Sequence, residues 1–266
     1  MAQGYWQGYW VVRTYEAGNV GEKTKFWIPG DRPSRSHKKE KSEIKKQEQN
    51  EASAVKNLAR LLNANFKQGD LLLGLDYSEE GMKRVAARAE ESGADKSSED
   101  EWTEALRQAA EHELRLVLRR VKREIGSFGY IGVTSDMNGD TGEVVRVHHH
   151  LVVPAAVKDA FIAKWKELGG VEWSFLSDQE DYMPVAEYLM RQVRKVPDAK
   201  KYISSRNLIR PKPRDRIVIS GAELRAPRGA RLLHRNEYKP GLPQYIRYVL
   251  PEAVEKRENS GIYMRR

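Results

Sequence analysis

Residues 142–153, GEVVRVHHHLVV, leave little choice of local structure. β-Branched valines favour extended backbone. In a strand successive side chains point to opposite faces, so His148 and His150 share one face and His149 takes the other. Three of the chain's six histidines are thus divided two to one within a strand flanked by Val144, Val145 and Val147 and by Leu151, Val152 and Val153. Unpaired polar groups are costly in such surroundings. Each imidazole here needs a partner, and the inward His149 needs one at both ring nitrogens.

The neighbouring segments supply the rest of a sheet. Residues 9–28 read as a β-hairpin around a Gly-Asn turn, followed by a polar, lysine-rich connector. In residues 51–66, Val55, Leu58, Leu61, Leu62 and Phe66 fall at helical spacing. DLLLGLDY, residues 70–77, has the apolar run of a buried central strand. Two helical pieces follow, broken at SGADKSSED. The second runs from Glu99 to Ile125 on a stripe of Leu106, Ala110, Leu114, Val117, Val121 and Ile125. Residues 130–153 read as two strands around the turn NGDTG. Pro154 opens a helix with the stripe Val157, Phe161, Trp165 and Leu168, which Gly169 and Gly170 stop. VEWSFL is a further strand. MPVAEYLMRQVRKV is a helix on which Val185, Leu189 and Val193 recur every four residues and would pack on the sheet. KKYISSRNL, RDRIVISG, ARLLHR and QYIRYVL are short extended segments. This order predicts an α+β fold around a mostly antiparallel sheet.

Charge is unevenly placed within a net +9. From Asp76 to Glu113 there are twelve acids and five bases; from Arg191 to Lys239 there are fifteen bases and four acids. A basic tract this dense, with Tyr202, Tyr238, Tyr245 and Tyr248 in or beside it, points to a polyanion, nucleic acid above all. Cysteine is absent, which removes disulfides and thiolate metal sites and suits a reducing compartment. With no apolar leader and no membrane-length apolar run, a soluble cytoplasmic protein with no membrane partner is expected. No GxxxxGK[ST] phosphate loop occurs, so the sequence carries no helicase motor of its own.

Two imidazoles two apart on one strand face can grip a cation from one side and leave positions open to substrate oxygen; with a nearby carboxylate they suit Mn²⁺, Zn²⁺ or, with more oxygen ligands, Mg²⁺. On the helix after them, Tyr188 lies at the edge of the packing face, with Arg191 and Gln192 one turn further along. Beside a cation-polarised phosphate, a tyrosine hydroxyl can attack phosphorus and hold a DNA end covalently.

A His-hydrophobic-His strand followed some forty residues later by a helical Tyr-x-x-Lys is the mark of the HUH endonucleases. VHHHLVV with AEYLMRQVRKV resembles the single-tyrosine branch, the rolling-circle replication initiators of phages and plasmids. NLARLLNANFKQGDLLLGLDY, YIGVTSDMNGDTGEVVRVHHHLVV and KKYISSRNLIRP resemble replication-associated proteins of bacteria and prophages. The resemblance covers residues 50 to 212. It departs from the pattern at His149, where a bulky apolar residue is usual, and at Arg191, where lysine is common.

The resemblance implies an RRM-like antiparallel sheet backed by helices, with N- and C-terminal extensions. It divides the chain into a hairpin and basic connector (1–48), an endonuclease domain (49–226) and a basic C-terminal extension (227–266). His148 and His150 would hold Mg²⁺ or Mn²⁺, with Asp136 as preferred third ligand and Asp76 as second choice. Tyr188, assisted by Arg191 and Gln192, would nick single-stranded origin DNA to a 5′-phosphotyrosine and a free 3′-OH, then rejoin ends. Lys200, Lys201, Tyr202, Arg206 and Arg210 would line the DNA path. A host helicase and polymerase in a bacterial cytoplasm would complete replication. Tyr202 and Tyr182 are rival nucleophiles, and His37, His112 and His234 are solvated. A transposase or relaxase using the same chemistry, or a non-enzymatic RRM-like binding module, are the alternatives.

Overall fold

The computed structural model describes residues 8–30, 43–177, 180–193, 201–219 and 221–254. They form two compact units. One is built from residues 1–64, 180–182 and 209–266, the other from 65–179 and 183–208. Each holds a five-stranded antiparallel sheet, so the protein is α+β.

The first unit joins the two ends of the chain. Strands β1 (Tyr9–Ala17) and β2 (Val20–Ile28) form the expected hairpin around Gly18 and Asn19, with Gly18 at φ 57° as the tight turn requires. Their outer edges do not end at solvent. Strand β8 (Arg214–Val218) pairs with β1, and β10 (Gln244–Val249) pairs with β2 and with β9 (Arg231–Arg235), in the order β8-β1-β2-β10-β9. Helix α1 (Glu43–Asn65) is tied to this sheet by a buried ion pair, Arg60 to Glu22 at 2.7 Å. Asp181 joins the unit by accepting from Asn63 at 2.9 Å and pairing with Arg247 at 2.8 Å. The sequence division at 48/49 and 226/227 therefore does not coincide with the compact units. Hairpin edges satisfy their backbone groups with strands 200 or more residues away in register, Arg13 opposite Asp215 and Val20 opposite Val249.

The second unit has the sheet order β6-β3-β5-β4-β7, from β3 (Leu71–Asp76), β4 (Ile131–Met137), β5 (Val144–Val153), β6 (Val171–Phe175) and β7 (Ile203–Ser204). Leu71, Leu73 and Leu75 alternate onto one face with Val147, Leu151 and Val153. They are buried there against α2 (Glu79–Glu91), α3 (Glu99–Ile125) and α4 (Lys158–Trp165). The stripes on the two later helices fall as their spacing predicts, except that Ile125, at the end of α3, is exposed. Glu113, 1% exposed between α2 and α3, pairs with Arg84 at 2.9 Å and Arg88 at 2.8 Å. Burying that carboxylate is tolerable because the charges of two guanidiniums and the hydrogen bond from Arg88 Nε to Oε1 compensate its lost hydration.

Backbone runs against backbone at the end of β3. A Cβ on Gly81 would stand 1.9 Å from the Leu168 carbonyl oxygen, and one on Gly169 would stand 1.9 Å from that of Asp76. Gly81→Ala is expected to destabilise this unit by about 2–3 kcal/mol, since neither contact atom is a side chain that can swing away. Urea unfolding followed by circular dichroism measures it, and an unchanged midpoint contradicts the packing described.

Candidate active site

Register decides which groups meet. In β5, His148 lies opposite Asp76 of β3 and Ser135 of β4; His150 lies opposite Gly74 and Val133; His149 lies opposite Leu75 and Thr134. Cross-strand partners share a face. Asp76, His148 and His150 are therefore on the side away from α2 to α4, while His149 is on the helix-backed side.

His149 is fully buried, and burial pushes its pKa down to about 3, with the neighbouring His148 and His150 adding to the effect. The neutral ring is satisfied at both nitrogens. Tyr77 Oη lies 2.8 Å from Nε2 and also 3.1 Å from the Ala110 carbonyl oxygen; Thr134 Oγ1 lies 3.0 Å from Nδ1. One assignment closes the chain: Thr134 donates to Nδ1, Nε2–H donates to Tyr77, and Tyr77 donates to Ala110. A histidine can thus occupy the position where an apolar residue is expected because Tyr77 and Thr134 bracket it.

The outward histidines are arranged differently. His148 Nδ1 lies 3.0 Å from the Arg146 carbonyl oxygen, which can only accept, so Nδ1 carries a hydrogen and Nε2 is the nitrogen left for a ligand. His150 Nε2 is buried and has no hydrogen-bond partner. Burial, then His148, lowers the His150 pKa to about 4, so this ring is neutral near pH 7. The two rings are edge-to-face with centroids 5.1 Å apart.

Helix α5 (Met183–Arg191) brings Tyr188 to this face. The Tyr188 hydroxyl is 3.5 Å from His150 Nδ1, the outer limit of a hydrogen bond, and the rings meet edge-to-face at 5.1 Å. Desolvation raises the Tyr188 pKa above its ordinary value; Asp140 adds to the rise and Arg191 opposes it. Tyr188, His150 and His148 are therefore contiguous, with Arg191 close enough to act on the phenol. The buried stripe of α5 is Met183, Ala186 and Leu189, at spacing three, while Val185 and Val193 are only half-buried. The helix ends at Arg191, with Gln192 and Val193 in a turn beyond it.

Other expected residues are placed elsewhere or do other work. Asp136 is 1% exposed and its charge acts on Arg107 of α3. Alternation from Thr134 puts it on the helix-backed side, despite the bulge between Ser135 and Met137. The preferred third ligand is thus turned away from His148, and Asp76 is the carboxylate on the histidine face. Gln192 is buried, and its Oε1 accepts from Gly139 N–H at 3.0 Å, fastening the β4–β5 turn to the end of α5. Lys201 and Tyr202 are half-buried just before edge strand β7, and Arg206 is exposed just after it. Arg210 is exposed and belongs to the first unit. Lys200 and His37 lie outside the described residues. Tyr182 is buried in the first unit; His112 and His234 are exposed.

Sequence reasoning missed Arg146, Asp140, Tyr77 and Thr134. Arg146 was within reach of the alternation rule, being two residues before His148 on the same face; its Nη1 donates to the Tyr77 carbonyl at 3.2 Å. The other three enter through turn conformation and cross-strand register.

Among the described residues, no group of three or more His, Cys, Asp or Glu is gathered to hold a metal, and no helix is long and apolar enough to cross a membrane. The donor set on the histidine face nonetheless fits a divalent cation. It offers two imidazoles, the neutral His150 and His148 with its Nδ1 bound to a backbone carbonyl as metal-ligating histidines usually are, and a carboxylate opposite. No family model, no curated protein and no solved structure matches this chain.

Proposed function

We propose that the second unit is an HUH-type, single-tyrosine endonuclease with an RRM-like sheet, and that the protein initiates rolling-circle replication by nicking and rejoining single-stranded origin DNA. The observation that carries this reading is the approach of the Tyr188 hydroxyl to His150 on the sheet face where both histidines keep an unused Nε2.

His148 and His150 would hold Mg²⁺ or Mn²⁺ through Nε2, with Asp76 the nearest carboxylate in register. A bound cation supplies charge that polarises the scissile phosphate and steadies the leaving oxygen. With Nε2 so engaged, Nδ1–H of His150 donates to the Tyr188 oxygen and stabilises it as it loses its proton to solvent. Tyr188 Oη forms a bond to phosphorus and the bond to O3′ breaks, the departing oxygen taking up a proton. The 5′-phosphotyrosine keeps the bond energy for rejoining. Arg191 favours the phenolate by charge. Gln192 holds the turn that carries Asp140, acting as a positioning residue. Lys201, Tyr202 and Arg206 offer cations and a stacking ring to the strand, with Lys200 and Arg210 on the same tract.

Labelled single-stranded origin oligonucleotides incubated with Mn²⁺ should yield a denaturant-resistant adduct and a 3′-OH fragment that a polymerase extends. Chelation should stop it. His150→Ala should cut adduct formation by more than the roughly 10–100-fold typical of a supporting group, Asp76→Asn should fall within that range, and Asp136→Asn should not follow Asp76→Asn. No adduct from folded protein with either cation contradicts the proposal.

A further inference from the structure

A pocket of about 560 Å³ opens on one face of the sheet made by the chain ends, bounded by β8, β1, β2 and residues 222–225. Its floor follows from strand alternation. Lys23 and Lys25 are two apart on β2, and Arg214 and Arg216 are two apart on β8. Thr14 of β1 lies in register between Lys23 and Arg214, and Val12 lies between Lys25 and Arg216. The sheet thus lays down two rows, each with a cation at either end and a short neutral side chain between.

The nearby acids are already engaged. Glu16 takes Arg214, Asp215 takes Arg13 at 2.7 Å, and Glu223 takes Arg235 at 2.6 Å. Among the described residues the ammonium groups form no ion pair and donate to carbonyl oxygens, Lys23 to that of Arg225 at 3.3 Å and Lys25 to that of Ala222 at 2.5 Å. Arg216 has no hydrogen bond or ion pair among the described residues, and its charge acts repulsively on Lys23. Burial pushes both lysines below their ordinary value, with Arg216 adding to the effect on Lys23 and Glu16 partly offsetting it. Lys25 is 3% exposed and lies over the Trp10 ring, so its charge sits at a fixed place instead of ranging through solvent. Holding like charges together beside unneutralised space costs stability, and an anion would recover it.

We propose that this pocket binds a nucleotide unit, with its phosphate held by Lys23, Lys25 and Arg216 and its sugar and base against Val12, Val218 and Leu224. Three cationic donors suit a phosphate dianion better than a carboxylate, and the guanidinium adds the paired geometry phosphate accepts. The volume lies within the range of small-ligand sites and exceeds what phosphate alone fills, while the apolar walls match a flat organic body. The unit can come free or as one residue of a DNA strand, and the chemistry is the same. The proposal stands independently of Tyr188 and its cation.

Full-length protein in chelator, where no cation-dependent cleavage can occur, is titrated by calorimetry with dAMP, with a 5′-phosphorylated oligothymidylate and with deoxyadenosine. At least one phosphorylated ligand should bind saturably, more weakly as salt rises, and deoxyadenosine should bind at least about tenfold more weakly. Arg216→Ala, on the exposed β8, and Lys23→Met should each weaken the better ligand about tenfold or more with circular dichroism unchanged, whereas Arg119→Ala in the other unit should not. Preference for the oligomer assigns the pocket to a strand, and preference for dAMP assigns it to a free nucleotide. The proposal is overturned if neither ligand binds or deoxyadenosine binds equally. It is also overturned if both pocket variants bind as the wild type does, or if Arg119→Ala loses as much as they do.

Discussion

Tyr188→Phe is expected to lower covalent adduct formation on origin DNA by at least about 10⁴-fold, the scale seen when a nucleophile is removed from an otherwise intact site. The substitution is clean because the ring does the packing. Its edge-to-face contact with His150, at 5.1 Å, survives the loss of the hydroxyl. Among the described residues the hydroxyl's hydrogen-bond contact is the long 3.5 Å approach to His150, so little stability goes with it. Unfolding curves of the two proteins should superimpose while the adduct band disappears. An adduct that persists in Tyr188→Phe and vanishes in Tyr202→Phe transfers the role to the rival. The wild-type rate should also climb with pH above neutrality. Desolvation, aided by Asp140, holds the phenol protonated beyond its ordinary range, so each rise in pH increases the reactive fraction.

The second large effect concerns stability in acid. The His149 pKa is near 3 in the folded protein against an ordinary 6.5. Above pH 6.5 both folded and unfolded states are neutral at this residue, and its contribution is fully present. As pH falls from 6.5 towards 3 the unfolded chain takes up a proton that the folded chain refuses, so stability drops. The slope approaches about 1.4 kcal/mol per pH unit, so a few kcal/mol are lost by about pH 4.5. Denaturant unfolding of the wild type and of His149→Leu at a series of pH values isolates the effect. The leucine variant leaves Tyr77 and Thr134 without the ring, so it should be the less stable protein at pH 7, and its stability should fall less between pH 6.5 and 4.5. Parallel curves would mean that His149 is not shielded as described.

Much of the second unit was legible in the sequence because short-range periodicity survives folding. The limits of α3, Glu99 to Ile125, follow from its stripe and from Gly126, whose φ of 87° suits a helix end. Val157, Phe161, Trp165 and Leu168 are buried as their spacing predicts. The two-to-one division of the histidines is a property of any extended strand, and β5 places His148 and His150 opposite Asp76 and Gly74 with His149 opposite Leu75. The packing face of α5 was misread. Val185 and Val193 are the more apolar choices, but a helix that must also carry Tyr188 towards β5 buries the smaller Ala186 instead.

The chain order could not show which strands become neighbours. The sequence ranks Asp136 ahead of Asp76 as the carboxylate for the histidine site. Register places Asp76 directly across from His148 and turns Asp136 towards Arg107. Likewise, nothing local couples Thr14 to both Lys23 and Arg214, yet that row builds the basic pocket.

By itself, then, the sequence determined the strand at 144–153, the opposed faces of its histidines, the helix that bears Tyr188 and the basic tract after it, because propensity and period act over a few residues. Only the tertiary structure decided the partners: Tyr77 and Thr134 for His149, Asp76 for His148, and the C-terminal strands for the N-terminal hairpin. Those choices depend on backbone hydrogen bonds between distant segments, some more than two hundred residues apart, whose register is set by burying one face of each sheet.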